Sequence, residues 1–244
     1  MDTGNTKGKT KYGLDRFDLK MIAAAAMTVD HLAHFFLRFE DAPALYVLMR
    51  CFGRLTAPIM CFFIAEGFVH TSSRLRYGIR LALFAVISQI PYSYLNAGRF
   101  SLHEMSMITT LLLSFFALCA WEYIKPLYIR LPVILVLLYL CSFCDWYFFA
   151  PVWVLTFYIL HGSRMKQIAG YAITSAAMMG GWALYYVIRF NSWLNLVQLA
   201  VLLAVPLLLL YNGRRGPGGK VVNYFFYIYY PLHLLIIYLV KMYL

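Results

Sequence analysis

Three ionisable side chains, Asp30, His31 and His34, stand inside the apolar stretch "MTVDHLAHFF" near the start of the chain. On an α-helix His31 and His34 share one face, whereas Asp30 points about 100° away from His31. A neutral imidazole can take a proton from an attacking amine or hydroxyl near neutral pH. The spacing therefore indicates general-base chemistry by His31, with Asp30 pairing with an arginine such as Arg54.

Further ionisable residues interrupt two other apolar stretches. Glu66 and His70 are spaced i, i+4 and share a helix face. His233 follows Tyr230 and Pro231 in "YYPLHLLIIYL", where its other neighbours are leucine and isoleucine. Whether such residues are functional depends on the class of protein that contains them.

Composition indicates a membrane protein. Of the 244 residues, 63% are hydrophobic and 13% charged, whereas soluble chains contain about half apolar and a quarter charged residues. Apolar runs of about 20 residues, each long enough to cross a bilayer core of about 30 Å, recur along the chain. The net charge of +11 would suggest nucleic acid binding in a soluble protein. Here the basic residues fall in short loops, so no nucleic-acid partner is expected.

The apolar runs predict an all-α polytopic membrane protein with a bundle of about nine transmembrane helices. Eight or ten spans also fit, because "CSFCDWYFFAP", between the fifth and sixth spans, contains few residues typical of a turn. Residues 1–19 are predicted to form a cytoplasmic tail, and residues 20–244 one transmembrane domain. The predicted spans are 20–38, 44–71, 76–96, 105–122, 127–144, 146–162, 167–188, 193–211 and 222–242.

The distribution of lysine and arginine orients these spans. With a cytoplasmic N-terminus, fifteen basic residues lie in inside segments, four lie outside, and Arg50 and Arg54 lie within the second span. Cytoplasmic loops of membrane proteins carry this excess. The inside set contains Lys7, Lys9, Lys11, Arg16, Lys20, Arg74, Arg76, Arg80, Lys125, Arg130, Arg164, Lys166, Arg214, Arg215 and Lys220. The C-terminal residue Leu244 is then external.

Ionisable residues inside a bilayer cost roughly 3 kcal/mol each and usually serve a purpose. At 1.5 Å per residue, His31 lies roughly 16 Å beyond Lys20, and Glu66 lies roughly 12 Å from the cytoplasmic face. His233 lies roughly 20 Å beyond Lys220. Any one such residue could belong to a network that only locks helices together. The spread of the whole set across the membrane favours a path.

Three arginines mark the cytoplasmic end of this predicted path. Arg74, Arg76 and Arg80 follow His70 closely in "HTSSRLRYGIR". Contact with anionic lipid or simple topology would explain them. A guanidinium also matches phosphate oxygens well, so they are candidates for holding a phosphate-bearing substrate.

The five cysteines lie within apolar runs, and only Cys141 and Cys144 have C-x-x-C spacing. One such pair is weak evidence for metal or redox chemistry, and buried cysteine is usually a small core residue. No metal is expected.

Three blocks of this sequence resemble those of the TraX family. They are "LKMIAAAAMTVDH", "FGRLTAPIMCFFIAEGFVHTSSRLRYGIRLALFAVISQIP" and "FYIYYPLHLLII". The resemblance runs from about residue 19 to the C-terminus and is weaker between residues 97 and 215. There Thr110, Asp145 and Tyr158 match, while Ser106 stands where the family has asparagine.

The resemblance implies an acyltransferase. The TraX family is associated with N-terminal acetylation of conjugative pilin and is similar in layout to the acyltransferase type 3 proteins. The resemblance places such a protein in the bacterial inner membrane. The acyltransferase type 3 proteins carry an arginine and a catalytic histidine with ten residues between them, basic residues that contact acetyl-CoA, and a histidine in a late helix. Lys20 stands at the position of that arginine here, so the resemblance adds Lys20 to the candidate acyl-CoA contacts.

The residues and the resemblance together predict transfer of an acetyl or other acyl group from cytoplasmic acyl-CoA. Candidate catalytic residues are His31, Asp30, Glu66, Arg54 and His233. Candidate acyl-CoA contacts are Arg74, Arg76, Arg80, His70 and Lys20. The acceptor is an amine or hydroxyl of a peptide, a glycan or a lipid, and both direct transfer and an acyl-histidine intermediate fit. A proton-coupled transporter and a non-catalytic pilus assembly factor are the alternatives.

Overall fold

A computed structural model describes residues 13–217 and 219–243, with the backbone alone for residues 219–223. Within those residues the chain forms helices and no extended strand; its only β-pairings are two isolated bridges. The helices are α1 (Arg16–Phe36), α2 (Pro43–Gly53), α3 (Thr56–His70), α4 (Arg74–Ala97), α5 (Met107–Tyr123), α6 (Leu127–Cys141), α7 (Phe149–Ile159), α8 (Arg164–Phe190), a 3-10 helix (Trp193–Leu203), α9 (Ala204–Leu209) and α10 (Gly219–Tyr243).

The all-α prediction is confirmed, and each of the nine predicted spans coincides with helix. Two spans consist of two consecutive helical pieces: α2 with α3, and the 3-10 helix with α9. Over its eleven residues the 3-10 segment advances about 2.0 Å per residue, against 1.5 Å for an α-helix. That extra reach lengthens this segment compared with the α-helix predicted for it.

The first helix begins earlier than predicted, at Arg16 rather than residue 20. Asp15 caps its first turn: the Asp15 carboxylate accepts from the Asp18 N–H, and the Asp18 carboxylate accepts from the Asp15 N–H. These reciprocal bonds satisfy two otherwise unpaired helix-end donors. The part of the predicted tail that covers residues 1–12, including Lys7, Lys9 and Lys11, lies outside the described residues.

The second predicted span is interrupted at Arg54 and Leu55, between α2 and α3. Pro58 falls in the first turn of α3, where a missing N–H removes no helical hydrogen bond. The helical hydrogen bonds of α2 and of α3 are therefore both retained. The interruption places Arg54 at the junction of two helices rather than inside a continuous one.

The outer surfaces of the helices carry apolar side chains. On α4, Leu75 is 74% exposed and Val86 70%, with Ile79 and Ile90 also exposed between and beyond them. An exposed apolar stripe of this kind marks a surface that contacts lipid or another protein. Two described segments are long and apolar enough to cross a bilayer whole: Pro43–His70, with mean hydropathy 1.6, and Tyr224–Tyr243, with 1.5. The chain is a membrane protein.

The helix ends gather at two opposite faces of the bundle. The inner face contains the start of α1, where Leu14 and Asn212 donate their backbone N–H groups to Leu210 O and Leu14 O at 2.9 and 2.8 Å. The outer face contains the end of α1 and the turn between α6 and α7. The inner face is the one predicted to be cytoplasmic from the distribution of lysine and arginine, and the outer face is the opposite one. The side chain of Lys220 and the residue Leu244, whose position is predicted to be external, lie outside the described residues.

Candidate functional site

A basic cavity of about 570 Å³ opens at the inner face, between α1, α4 and the segment before α10. Four cationic side chains, Arg16, Lys20, Arg80 and Arg215, line this inner cavity together with His70. None of the described residues that line it is acidic. A concave surface with this charge attracts a polyanion.

Backbone pairing across the chain brings two of these cations together. Arg16 donates its N–H to Arg214 O at 2.9 Å, which places Arg16 beside Arg215 although the two are far apart in sequence. Gly216 adopts a left-handed conformation with φ +74°, and a Cβ there would collide with the carboxylate of Asp15. Only glycine fits this close approach without strain.

Two of the cations have unused hydrogen-bonding capacity. The Nε atoms of Arg16 and Arg80 are buried and make no hydrogen bond within the described residues. Buried polar atoms are normally paired, and each exception calls for an explanation. Both side chains line the inner cavity, and a guanidinium group is well suited to phosphate oxygens.

A narrow apolar neck of about 90 Å³ continues from the inner cavity into the bundle. Lys20, Phe63, Tyr77 and Tyr227 line both spaces, so the two are contiguous. Deeper in the neck the wall is formed by small and apolar side chains of α1, α3, α5 and α10. They include Ala23, Ala24, Met27, Met60, Ile64, Leu111 and Tyr229.

A second polar cavity, of about 450 Å³, lies at the outer face. It is lined by Asp30, His31, His34, Arg50 and Arg54 on one side, and by His103, Glu104 and Asp145 among others on the opposite side. Its lining shares no residue with that of the neck. From Arg16 to His34 along α1 is about 27 Å at 1.5 Å per residue, so the inner and outer cavities lie near opposite faces of the bundle.

An ion-pair cluster forms one wall of the outer cavity. Arg50 donates to Asp30 Oδ1 at 2.9 Å, and Arg54 Nη2 lies 3.9 Å from the same oxygen. The predicted Asp30–Arg54 pair is thus present, but the short contact belongs to Arg50. Gly53 makes the cluster possible, because a Cβ at this position would collide with the Asp30 carboxyl.

Arg54 is the most buried cation of this cluster, with 7% of its surface exposed. Its guanidinium lies 5.1 Å from the ring centroid of Trp146. Its Nε makes no hydrogen bond within the described residues. A buried guanidinium with unused donors, on the wall of a cavity, can stabilise a negatively charged group that forms there.

The opposite wall includes the turn between α6 and α7. Trp146 and Tyr147 both have positive φ angles, 66° and 43°, a strained state for residues with large side chains. The turn is held in place because Asp145 donates its N–H to Met105 O at 2.8 Å and accepts at its own carbonyl from Thr110. Burial raises the pKa of Asp145 to about 6, while Arg54 acts in the opposite direction.

Two histidines meet between the neck and the outer cavity. His31 Nδ1 of α1 lies 3.0 Å from His233 Nε2 of α10. His233 Nδ1 lies 3.0 Å from the Tyr229 backbone oxygen. A carbonyl only accepts, so His233 Nδ1 carries a hydrogen, and in the neutral pair His233 Nε2 accepts from His31 Nδ1. The arrangement leaves His31 Nε2 unprotonated, which is the form a general base requires.

A second contact joins the same two helices one turn closer to the inner face. Thr28 Oγ1 lies 3.2 Å from Ala24 O and 2.5 Å from the Tyr229 hydroxyl. Thr28 has a single hydroxyl proton, which it donates to Ala24 O, so Tyr229 donates to Thr28. The Tyr229 ring also stacks on His233, with centroids 5.3 Å apart and planes inclined by 9°.

Comparison with known proteins agrees with the resemblance seen in the sequence. Residues 15–241 match the family described as TraX protein. The chain belongs to the TraX family. It is also similar to the "Probable fimbrial assembly protein FimC, serogroup H1" of Dichelobacter nodosus, with 31% identity over 242 residues that cover 93% of this chain and 96% of the relative. No solved structure matches significantly.

In this TraX family member the predicted site residues divide into three groups. His31, Asp30 and Arg54 line the outer cavity, with His233 hydrogen-bonded to His31. Lys20, His70 and Arg80 line the inner cavity. Arg74, Arg76 and Glu66 line none of the three cavities.

Of the three arginines predicted to hold a phosphate-bearing substrate, only Arg80 lines the inner cavity. Arg74 lies 3.6 Å from Glu122 and donates to the Tyr123 hydroxyl at 2.7 Å, while Arg76 is exposed. Along an α-helix Arg74 and Arg80 are rotated by six steps of 100°, so they point about 120° apart. Only Arg80 faces the inner cavity.

Glu66 contacts two histidines instead of lining one of the three cavities, and its catalytic role stays a prediction. Its carboxylate lies 3.7 Å from His70 Nδ1 and 3.7 Å from His161 Nε2. It therefore belongs to a polar cluster near the inner face that joins α3 to the end of α7. Within residues 13–217 and 219–243, no group of His, Cys, Asp or Glu side chains is placed to hold a metal ion.

Several residues of the candidate site are not predicted from the sequence. Topology alone explains Arg16 and Arg215 there, and Tyr229 is one of many aromatic residues near the start of the last span. Helical spacing could have identified two of the missing residues. Thr28 precedes His31 by three positions and Tyr229 precedes His233 by four, so each shares a helix face with its histidine.

Proposed function

We propose that the protein is an integral-membrane acyltransferase. It moves an acetyl or other acyl group from acyl-CoA, held in the inner cavity, to an amine or hydroxyl in the outer cavity. The observation that carries this proposal is the arrangement of a basic cavity, an apolar neck, a histidine pair and a polar cavity in sequence along α1 and α10.

The inner cavity suits the phosphates of a coenzyme A thioester. Arg16, Arg80 and Arg215 offer guanidinium groups, and Lys20 offers an ammonium group where the cavity meets the neck. Lys20 Nζ lies 4.9 Å from the Phe226 ring centroid, which positions it at this boundary. The uncharged pantetheine arm then follows the neck toward the histidine pair.

His31 acts as the general base in this proposal. Its unprotonated Nε2 takes the proton of the acceptor amine or hydroxyl as the acceptor atom attacks the thioester carbonyl. The carbon–sulfur bond then breaks, and the His31 imidazolium gives this proton to the departing thiolate, which leaves as free coenzyme A. His233 accepts a hydrogen bond from His31 Nδ1 and so stabilises the imidazolium that forms on His31.

Arg54 stabilises the oxyanion of the tetrahedral intermediate. Its buried guanidinium has donors that no described residue uses, and a charge that is fixed beforehand needs no reorganisation during the reaction. Asp30 and Arg50 hold this cation in place. Preorganised donors of this kind typically contribute about 10²–10³ in rate.

A role in pilus assembly at the bacterial inner membrane is the proposed context. The relative from Dichelobacter nodosus is named a probable fimbrial assembly protein, and the amino terminus of an exported pilin would provide an acceptor amine. The same name favours a second candidate function, a non-catalytic assembly factor in which the histidine pair only joins α1 to α10.

Incubation of the purified protein with acetyl-CoA labelled in the acetyl group distinguishes the two candidates. Membranes from the native host, which contain the native acceptor, are added, and His31→Ala is the matched control. An acyltransferase transfers label to the acceptor and releases free coenzyme A thiol in equal amounts. Equal label transfer by the wild type and His31→Ala would remove His31 from the reaction, and no transfer by either would favour the assembly factor.

A further inference from the structure

The neck and the outer cavity are separated by two contacts between α1 and α10. Thr28 bonds to Tyr229, and His31 bonds to His233. On α1, residues up to Met27 line the neck and residues from Asp30 onward line the outer cavity. The separation therefore occurs within one helical turn.

Tyr229 takes part in both of these contacts. Its side chain lines the neck, its hydroxyl donates to Thr28, and its ring stacks on His233. Its carbonyl also accepts from His233 Nδ1. Displacement of the ring would open the neck toward the histidine pair, while the backbone carbonyl could still orient His233.

A thioester in the neck needs protection from water. The outer cavity is polar and open, and water that reached the thioester carbonyl would attack it. The carbon–sulfur bond would break, giving a free carboxylic acid and coenzyme A thiol without transfer. Exclusion of water is a general means of preventing such hydrolysis.

We propose that Tyr229 determines whether the acyl group is transferred or hydrolysed, by closing the neck against the outer cavity until an acceptor is present. This inference rests on the proposed acyltransferase function. Thr28 is its partner, because the hydroxyl of Thr28 anchors the tyrosine across the gap between the two helices.

The first experiment tests the partition without any catalysis. Met60, which lines the neck, is replaced by cysteine in a chain whose five native cysteines are removed, and the protein is reconstituted in vesicles. A membrane-impermeant thiol reagent is then applied at the outer face. Cys at position 60 should stay unmodified with Tyr229 present and become modified in Tyr229→Ala.

Tyr224→Ala is the matched control, since Tyr224 is an exposed tyrosine of the same helix, and it should leave the position protected. Tyr229→Phe keeps the ring and serves if Tyr229→Ala does not fold; it should give faster labelling than the wild type. The role of Tyr229 would be overturned if position 60 were labelled equally fast in the wild type and in Tyr229→Phe. Equal labelling in Tyr229→Ala and Tyr224→Ala would overturn it as well.

The second experiment measures the outcome of the reaction. Release of coenzyme A thiol from acetyl-CoA is followed without an acceptor. Tyr229→Phe should raise the rate of this hydrolysis above that of the wild type by roughly two- to tenfold, the factor that removal of one hydrogen bond gives. When acceptor-containing membranes are added, the ratio of label transferred to thiol released should fall in the same variant. Thr28→Val should act in the same direction.

The two experiments separate failure of this inference from failure of the proposed function. A wild type that transfers acyl groups, with unchanged hydrolysis in Tyr229→Phe and Thr28→Val, would overturn the inference alone. A folded wild type that neither transfers nor hydrolyses would overturn the proposed function and with it the role of Tyr229 in the reaction.

Discussion

His31 Nδ1 lies 3.0 Å from His233 Nε2, and this contact joins the first helix of the chain to the last. The Tyr229 carbonyl can only accept, so His233 Nδ1 carries a hydrogen and donates it to this oxygen. His233 Nε2 is then free to accept from His31 Nδ1, and the tautomers of both rings are fixed. The contact thereby orients the unprotonated nitrogen of His31. The two residues have different roles in the proposed reaction, and substitutions separate those roles.

His31→Ala should lower the rate of acyl transfer by about 10²–10⁴-fold, the usual contribution of a positioned general base. The fold should persist, since His31 is only partly buried. His103→Ala, in the outer loop, is the control for removal of a histidine that lines the same cavity. Transfer at the wild-type rate by a purified and folded His31→Ala would show that the base is another group.

His233→Ala should lower kcat with little change in the KM for acyl-CoA, because His233 acts through His31. His233→Gln should recover part of the rate, since its amide oxygen can still accept from His31 Nδ1. A purely structural role for His233 predicts that both variants lose stability and activity together. Steady-state kinetics combined with thermal unfolding in detergent distinguish these outcomes.

Gly53→Ala should destabilise the protein by about 1–3 kcal/mol, the typical cost of forcing extra volume into a packed site. The new Cβ collides with the Asp30 carboxyl, so the ion pairs with Arg50 and Arg54 must shift and activity should fall as well. Gly181→Ala, whose Cβ would meet no atom within 4 Å, is the matched control. That control should be neutral, or more stable by up to about 1 kcal/mol.

Asp145→Asn should change the pH dependence of stability. The pKa of Asp145 rises from its ordinary value of 3.8 to about 6 in the fold, so its ionisation opposes folding. The wild type therefore loses stability as the pH rises from about 4 through about 6, and the asparagine variant avoids that loss. Thermal unfolding should show a gain for the variant at pH 7 that disappears near pH 4.

Asp41→Asn controls for net charge in this experiment, because it removes one negative charge from an exposed position of the outer face. The raised pKa of Asp145 would be contradicted if Asp145→Asn gained the same thermal stability at pH 4 and at pH 7. It would also be contradicted if Asp41→Asn gave the same pH-dependent gain.

The helices of this protein could be predicted from the sequence because their signals are local. Apolar run length and the positions of lysine and arginine depend on neighbours along the chain. The helix faces of His31 and His34 follow from the same local geometry, and both residues line the outer cavity. Their contacts with other helices do not follow from it.

The inner cavity could not be predicted because it depends on pairing between distant segments. Arg16 and Arg215 meet only because residues 14–16 pair with residues 210–214. Arg50 lies closer to Asp30 than Arg54 does, and this contact between α1 and α2 does not follow from spacing along either helix. The left-handed conformations of Trp146 and Tyr147 have no signal in the sequence, because large residues rarely adopt them.

The central claim is that the inner cavity binds the acyl-CoA donor, and its most direct test is equilibrium binding of acetyl-CoA. Calorimetry on the detergent-purified protein compares the double variant Arg16→Gln/Arg80→Gln with Arg74→Gln/Arg76→Gln. Both variants remove two positive charges near the inner face, but only the first pair lines the cavity.

The wild type and Arg74→Gln/Arg76→Gln should bind acetyl-CoA with similar affinity. In Arg16→Gln/Arg80→Gln, removal of each charge-assisted hydrogen bond to phosphate should cost about 1.5–3 kcal/mol, or roughly 10- to 150-fold in affinity. Salt should weaken wild-type binding more than the residual binding of that variant. Absence of acetyl-CoA binding by the folded wild type, or equal binding by the two double variants, would contradict the account.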